Sequence, residues 1–78
     1  MTHEKYNELQ KKMDKLASDY VDEMAEIESN EDLEMTSDWL DDKMDTIFKW
    51  ANDNNAEEKV LAELRNDYFK LKGMLLQC

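Results

Sequence analysis

The apolar residues of this chain recur every three or four positions in three separate stretches, and none of the stretches alternates with period two. This spacing is typical of amphipathic helices, whereas a half-buried strand would place an apolar residue at every second position. The chain has no proline and one glycine, so few residues would interrupt a helix from within. The three apolar stripes are Tyr6, Leu9, Met13, Leu16, Tyr20, Met24 and Ile27; Leu40, Met44, Ile47 and Ala51; and Leu61, Leu64, Tyr68, Leu71 and Leu75. The sequence therefore predicts an all-α protein.

The predicted helices cover about residues 3–28, 31–52 and 56–76, and the sequence allows a kink in the second helix near residue 36. Short connections between amphipathic helices favour antiparallel neighbours. We therefore expect a small antiparallel three-helix bundle that forms one domain, residues 1–78.

Polar residues at the predicted helix starts agree with these bounds. Thr2 is placed to cap the first helix, and Ser29 and Asn30 offer a turn and an N-cap for the second. Asn55 followed by Glu58 fits a capping box for the third helix.

The negative charge of the chain is concentrated in its middle. The formal net charge is −10, and residues 17–46 hold twelve acidic residues and one lysine. The flanking segments are close to neutral, with a net charge of +1 over residues 1–16 and zero over residues 47–78. In an antiparallel hairpin, the end of the first helix and the start of the second meet at one end of the molecule.

The acidic residues of this segment are spaced so that they share one face of each helix. Most steps are three or four residues, as in the stretch SDWLDDKMD over residues 37–45. Like charges at such spacing repel by a few tenths of a kcal/mol per pair. We call these nine residues the acidic rows and expect them to face solvent: Asp19, Asp22, Glu23 and Glu26 on the first helix, and Glu34, Asp38, Asp41, Asp42 and Asp45 on the second.

A solvated surface is one interpretation of the acidic rows, but it explains only half of them. Acids early in the second helix are favourable because a helix N-terminus carries partial positive charge. Acids in the last turns of the first helix, such as Asp22 and Glu23, oppose the helix dipole by roughly 0.3–1 kcal/mol each. A surface kept only for solubility also usually mixes both signs of charge.

The favoured interpretation is a protein that binds a basic partner through the acidic rows. A strongly negative chain repels nucleic acid and anionic membranes, so we expect neither to be bound directly. Carboxylates one helical turn apart resemble successive phosphates of a strand, which would suit mimicry of DNA or RNA. In general character the chain is similar to the small acidic inhibitors that phages direct against restriction, repressor or CRISPR proteins. An antitoxin or immunity protein, or a structural helical module without mimicry, stays open.

An enzyme is the third alternative. All-helical, Mg²⁺-dependent nucleotide pyrophosphatases carry E-x-x-E followed by E-x-x-D, which Glu23 and Glu26 with Asp42 and Asp45 resemble loosely. The single histidine, His3, lies in the first turn, so no Ser–His or Cys–His pair is expected. The sequence shows no zinc-ligand spacing and no phosphate-binding loop. We therefore expect no catalytic residue, metal or cofactor.

A second apolar stripe on the third helix indicates self-association. It consists of Ala62, Phe69, Gly73 and Leu76, and we call it the α3 stripe. Glycine within a helix costs about 1 kcal/mol relative to alanine unless something packs closely against it. The stripe therefore predicts a homodimer.

The expected compartment is the cytoplasm. No apolar run approaches the roughly 20 residues that span a bilayer, and the first residues lack the apolar core of a signal peptide. The single cysteine, Cys78, cannot form an internal disulfide.

Overall fold

The three predicted helices are present, and the bundle is all-α as expected. The computed structural model describes residues 1–77, so Cys78 lies outside the described residues. Helix α1 covers His3–Ala25, α2 covers Asn30–Asp53 and α3 covers Glu58–Leu75. No strand occurs within residues 1–77. The first helix ends about three residues earlier than predicted.

Two of the three predicted caps are confirmed. The Thr2 hydroxyl oxygen accepts a hydrogen bond of 3.2 Å from the Lys5 amide, and the Ser29 hydroxyl oxygen accepts one of 3.2 Å from the Asp32 amide. In return the Asp32 carboxylate accepts a hydrogen bond of 3.0 Å from the Glu28 amide. These bonds satisfy amide groups that have no partner inside a helix.

The predicted capping box at Asn55 is wrong, and α2 is not interrupted near residue 36. Asn55 adopts a left-handed backbone with a φ of 60°, which ends the previous helix and places it outside α3. The N-cap of α3 is Glu57, whose side chain makes no capping hydrogen bond. Helix α2 runs unbroken over 24 residues, and Thr36 lies buried within it and does not cap a new helix.

The core is built from the predicted stripes. All four predicted α2 residues are buried, and Leu40 and Ala51 have no exposed surface. In α3 the buried residues are Val60, Leu64 and Leu75, so the buried side starts one residue before the predicted Leu61. Tyr6, Met24 and Ile27 at the ends of the first stripe are only partly buried.

Tyrosine side chains join α1 to α3 across the bundle. The Tyr20 hydroxyl donates a hydrogen bond of 2.7 Å to the Leu71 carbonyl oxygen, and the Tyr20 ring is fully buried. Near the other end, the Tyr6 hydroxyl donates to the Glu63 carboxylate at 3.1 Å. Both bonds fix the register of the first helix against the third.

The molecule is elongated, with principal extents of 42 × 18 × 17 Å. Because the helices are antiparallel, the end of α1, the start of α2 and the end of α3 lie together. This is the end at which residues 17–46 concentrate negative charge. Among residues 1–77, no helix has the length and apolar character required to cross a membrane.

Candidate functional site

The acidic rows lie on the outer surface of α1 and α2. Seven of the nine side chains are exposed, and Asp19 and Glu23 are half-buried because they lie on the side of α1 that turns towards α2. The last turn of α1 contains no basic residue, so nothing there offsets the acids that oppose the helix dipole. Seven members of the rows thus face solvent as expected, whereas Asp19 and Glu23 do so only in part.

Six of these carboxylates have no ion pair with any residue in 1–77. Asp19 pairs with Lys15 at 3.8 Å, and Asp45 pairs with Lys49 at 3.1 Å. Asp41 pairs with Lys72 at 2.8 Å. The six unpaired members are Asp22, Glu23, Glu26, Glu34, Asp38 and Asp42.

Asp41 differs from the rest of its row because it contacts α3. Its Oδ1 atom accepts a hydrogen bond of 2.6 Å from the Tyr68 hydroxyl and one of 2.8 Å from the Lys72 Nζ. The same ammonium group donates a hydrogen bond of 2.6 Å to the Ser37 hydroxyl oxygen. The hydrogen bond from Lys72, and then that from Tyr68, lower the pKa of the Asp41 carboxyl. The bond to Asp41 raises the pKa of the Tyr68 hydroxyl.

The position of Asp41 follows from the helical spacing. Successive residues turn by about 100°, so the five α2 acids spread over an arc of roughly 100°. Asp41 lies at the edge of that arc next to α3, while Asp42 lies at the opposite edge. Sequence spacing defined the row, but the location of α3 decided which member acts as a structural contact.

The structure does not gather the carboxylates of the pyrophosphatase-like pattern into a metal centre. Within residues 1–77 no three His, Cys, Asp or Glu side chains are close enough together to hold a metal ion. Glu23 and Glu26 on α1, with Asp42 and Asp45 on α2, therefore form no such group. The geometry gives the enzyme alternative no support.

The α3 stripe is open to solvent. Phe69 is 66% exposed and Leu76 is 79% exposed, and Ala62 is also exposed. A Cβ atom built on Gly73 would have no neighbour within 4 Å. Nothing inside residues 1–77 therefore explains a glycine at this position of the helix.

A groove between α1 and α2 was not recognised from the sequence. Its volume is about 300 Å³, and we call it the lysine–tryptophan groove after the residues that line it: Lys12, Lys15, Leu16, Trp39, Lys43 and Trp50. The signal was present, because Trp39, Lys43 and Trp50 follow each other at steps of four and seven. That spacing places them on one side of α2, facing α1.

Comparison of the chain with protein-family models, with curated proteins and with solved structures found no match.

Proposed function

We propose that the protein binds a basic, nucleic-acid-handling protein through its acidic rows and inhibits or regulates it. The observation that carries this proposal is a set of six exposed or half-exposed carboxylates that form no ion pair within residues 1–77 and lie in the half of the bundle around the α1–α2 turn. A cationic groove would supply the missing counter-charges. Long-range attraction would speed the encounter, and the association rate would fall as salt is added.

Mimicry of a nucleic acid is the form of binding that the rows fit best. Carboxylates one turn apart along a helix are separated by a rise of roughly 5.4 Å, similar to the separation of phosphates along a strand. The two rows lie on antiparallel helices, as the two strands of a duplex run antiparallel. A protein of this kind would occupy the nucleic-acid channel of its partner.

The test compares two variants that lose the same four charges. Both retain every ion pair and hydrogen bond described above. The row variant replaces four unpaired acids by amides: Asp22→Asn, Glu26→Gln, Asp38→Asn and Asp42→Asn. The control variant replaces four acids outside residues 17–46: Glu4→Gln, Asp14→Asn, Asp53→Asn and Asp67→Asn.

Wild-type protein on a resin should retain a nucleic-acid-binding protein from lysate at low salt. The retained protein should elute at high salt and should be displaced by duplex DNA or by RNA. The row variant should retain much less of it, and the control variant should retain nearly as much as the wild type. Equal retention by the row variant would show that the rows are ordinary solvated surface. That result would favour the alternative interpretation, a structural helical module without mimicry.

The α3 stripe supports a homodimer as the second part of this proposal. A helix that packs along Phe69, Gly73 and Leu76 would bury side chains that are largely exposed in the single chain. The missing Cβ at Gly73 would let the partner helix approach closely. Pairing through α3 leaves the acidic rows of both copies accessible, because the rows are on α1 and α2.

A further inference from the structure

The lysine–tryptophan groove has a chemical character opposite to that of the whole molecule. Three lysines and one acid, Asp19, line it in a chain whose formal net charge is −10. Its apolar lining includes Leu16 and Ile47, both of which belong to the buried core. Trp39 and Trp50 are eleven residues apart on α2, which corresponds to roughly 16 Å along the helix.

Two of the three ammonium groups that line this groove, those of Lys12 and Lys43, lie over indole rings, whereas that of Lys15 pairs with the Asp19 carboxylate at 3.8 Å. Lys12 Nζ is 5.0 Å and Lys5 Nζ is 6.0 Å from the centroid of the Trp50 ring. Lys43 Nζ is 6.0 Å from the centroid of the Trp39 ring. Within residues 1–77, Lys12 and Lys43 form no ion pair, although the chain has twice as many acidic as basic residues. Cation–π contacts of this kind hold an ammonium group in place without neutralising it.

The shape of the groove selects an elongated occupant. It is open along its length and lies between two antiparallel helices, so a third helix can lie in it and complete a four-helix arrangement. Sixteen ångströms corresponds to about three helical turns, which present apolar anchors at i, i+3 or i+4, and i+7. Two half-buried tryptophans provide the contacts that most often dominate the energy of such an interface.

We propose that the lysine–tryptophan groove binds an acidic amphipathic helix of a partner protein. Apolar side chains of that helix contact Leu16, Ile47 and the two indole rings, and its carboxylates reach the ammonium groups of Lys12, Lys15 and Lys43. This site shares Asp19 with the acidic rows but does not depend on the function proposed for them. Stacked nucleobases fit less well, because the ammonium groups of Lys12 and Lys43 already lie over the indole rings.

The test uses the fact that both tryptophans of the chain line this groove. The probe is a capped helical peptide of about 14 residues, roughly four turns, with leucine at i, i+4, i+7 and i+11 and glutamate on both flanks. Binding removes water from the indole rings, so tryptophan emission should shift to shorter wavelength and saturate with peptide. A peptide with lysine in place of each glutamate serves as the charge control.

Two matched pairs of substitutions locate the binding. The Lys12→Glu, Lys43→Glu variant should bind the peptide about tenfold more weakly or worse, since two charge contacts are lost and the reversed charges add repulsion. The Lys59→Glu, Lys70→Glu variant has the same change in net charge, but at exposed positions outside the groove. Its affinity for the peptide should stay within about twofold of the wild-type affinity. Circular dichroism checks that both variants remain helical.

Three results would overturn the proposal. One is the absence of an emission shift with the acidic peptide at millimolar concentration. Another is equal affinity of the peptide for the Lys12→Glu, Lys43→Glu variant and the wild type. The third is an equally large shift with the lysine peptide or with a single-stranded oligonucleotide, because the groove would then not be selecting an acidic helix.

Discussion

Replacing Asp41 by asparagine should separate the structural member of the acidic rows from the members available for binding. Asparagine retains an oxygen that can accept from the Tyr68 hydroxyl, but it removes the charge that strengthens the bonds from Tyr68 and Lys72. Asp42→Asn, one residue along the same helix, removes the same charge from a carboxylate that forms no ion pair within residues 1–77. The two variants therefore differ in the α2–α3 contact alone.

The expected cost follows from the exposure of the contact. Hydrogen bonds to charged groups contribute about 1.5–3 kcal/mol when well buried, whereas exposed ion pairs contribute about 0.2–1 kcal/mol. The Asp41 side chain is 48% exposed and the Lys72 side chain is 28% exposed, so solvent screens the contact and the lower range applies. Asp41→Asn should lower the free energy of unfolding by about 0.5–1 kcal/mol. Asp42→Asn should leave it unchanged or raise it by a few tenths, because like charges along the row repel.

The pH dependence gives a second measurement of the same contact. The pKa of the Asp41 carboxyl is lowered from its ordinary value of 3.8 in the folded state, mainly by the bond from Lys72. The stability from this group is therefore complete above its unfolded pKa and is lost as pH falls through the lower folded value. The difference between wild type and Asp41→Asn should be constant near neutral pH and should disappear in strong acid.

Urea unfolding followed by far-ultraviolet circular dichroism measures both effects. The midpoint should fall for Asp41→Asn without a change in slope, since the surface exposed on unfolding is the same. The reasoning fails if Asp42→Asn costs as much as Asp41→Asn, or if the difference between Asp41→Asn and wild type persists in strong acid.

Three further predictions concern the bundle and its α3 stripe. Gly73→Ala should stabilise the single chain by about 0.5–1 kcal/mol in unfolding experiments at low protein concentration, because helix propensity improves and the new Cβ has no neighbour within 4 Å. The same change should weaken a dimer that packs on Gly73. If the dimer were not weakened, Gly73 would not be part of its interface. Phe69→Glu should convert the dimer to a monomer in sedimentation experiments under reducing conditions. Val21→Glu, which changes another exposed apolar residue, should not. If the wild-type protein sedimented as a monomer at high micromolar concentration, the homodimer would be contradicted. Leu40→Ala should cost about 2–5 kcal/mol in urea unfolding because Leu40 is fully buried, and a cost below 1 kcal/mol would contradict the described core.

Helical periodicity was sufficient to predict the fold, because apolar residues at steps of three and four form the side of each helix that packs, fully or partly buried, in the bundle. The caps at Thr2 and Ser29 were predictable from local hydrogen-bonding chemistry. The Asn55 capping box failed because the same residue type also favours the left-handed conformation that ends a helix. Periodicity assigns a residue to a side of its own helix and does not say which neighbouring helix it meets. For that reason the role of Asp41 became visible only in three dimensions.

The groove was missed for the same reason. Lys12 belongs to α1 and Trp50 to α2, so no local pattern joins them, and their contact depends on the register of the two helices. The acidic rows could be found because the charge excess lies within thirty consecutive residues. The positive site is assembled from lysines that are scattered through a negative chain.

The uneven charge along the bundle also has a consequence for the order in which the chain folds. Each helix packs against its neighbour in sequence, and helical proteins with such local contacts fold in microseconds to milliseconds. Closing the α1–α2 hairpin brings together the acids on both sides of its turn, while closing the α2–α3 hairpin creates the attraction between Asp41 and Lys72. The second hairpin should therefore form first, and the first should dock later. Added salt should accelerate folding by screening the repulsion at the first turn.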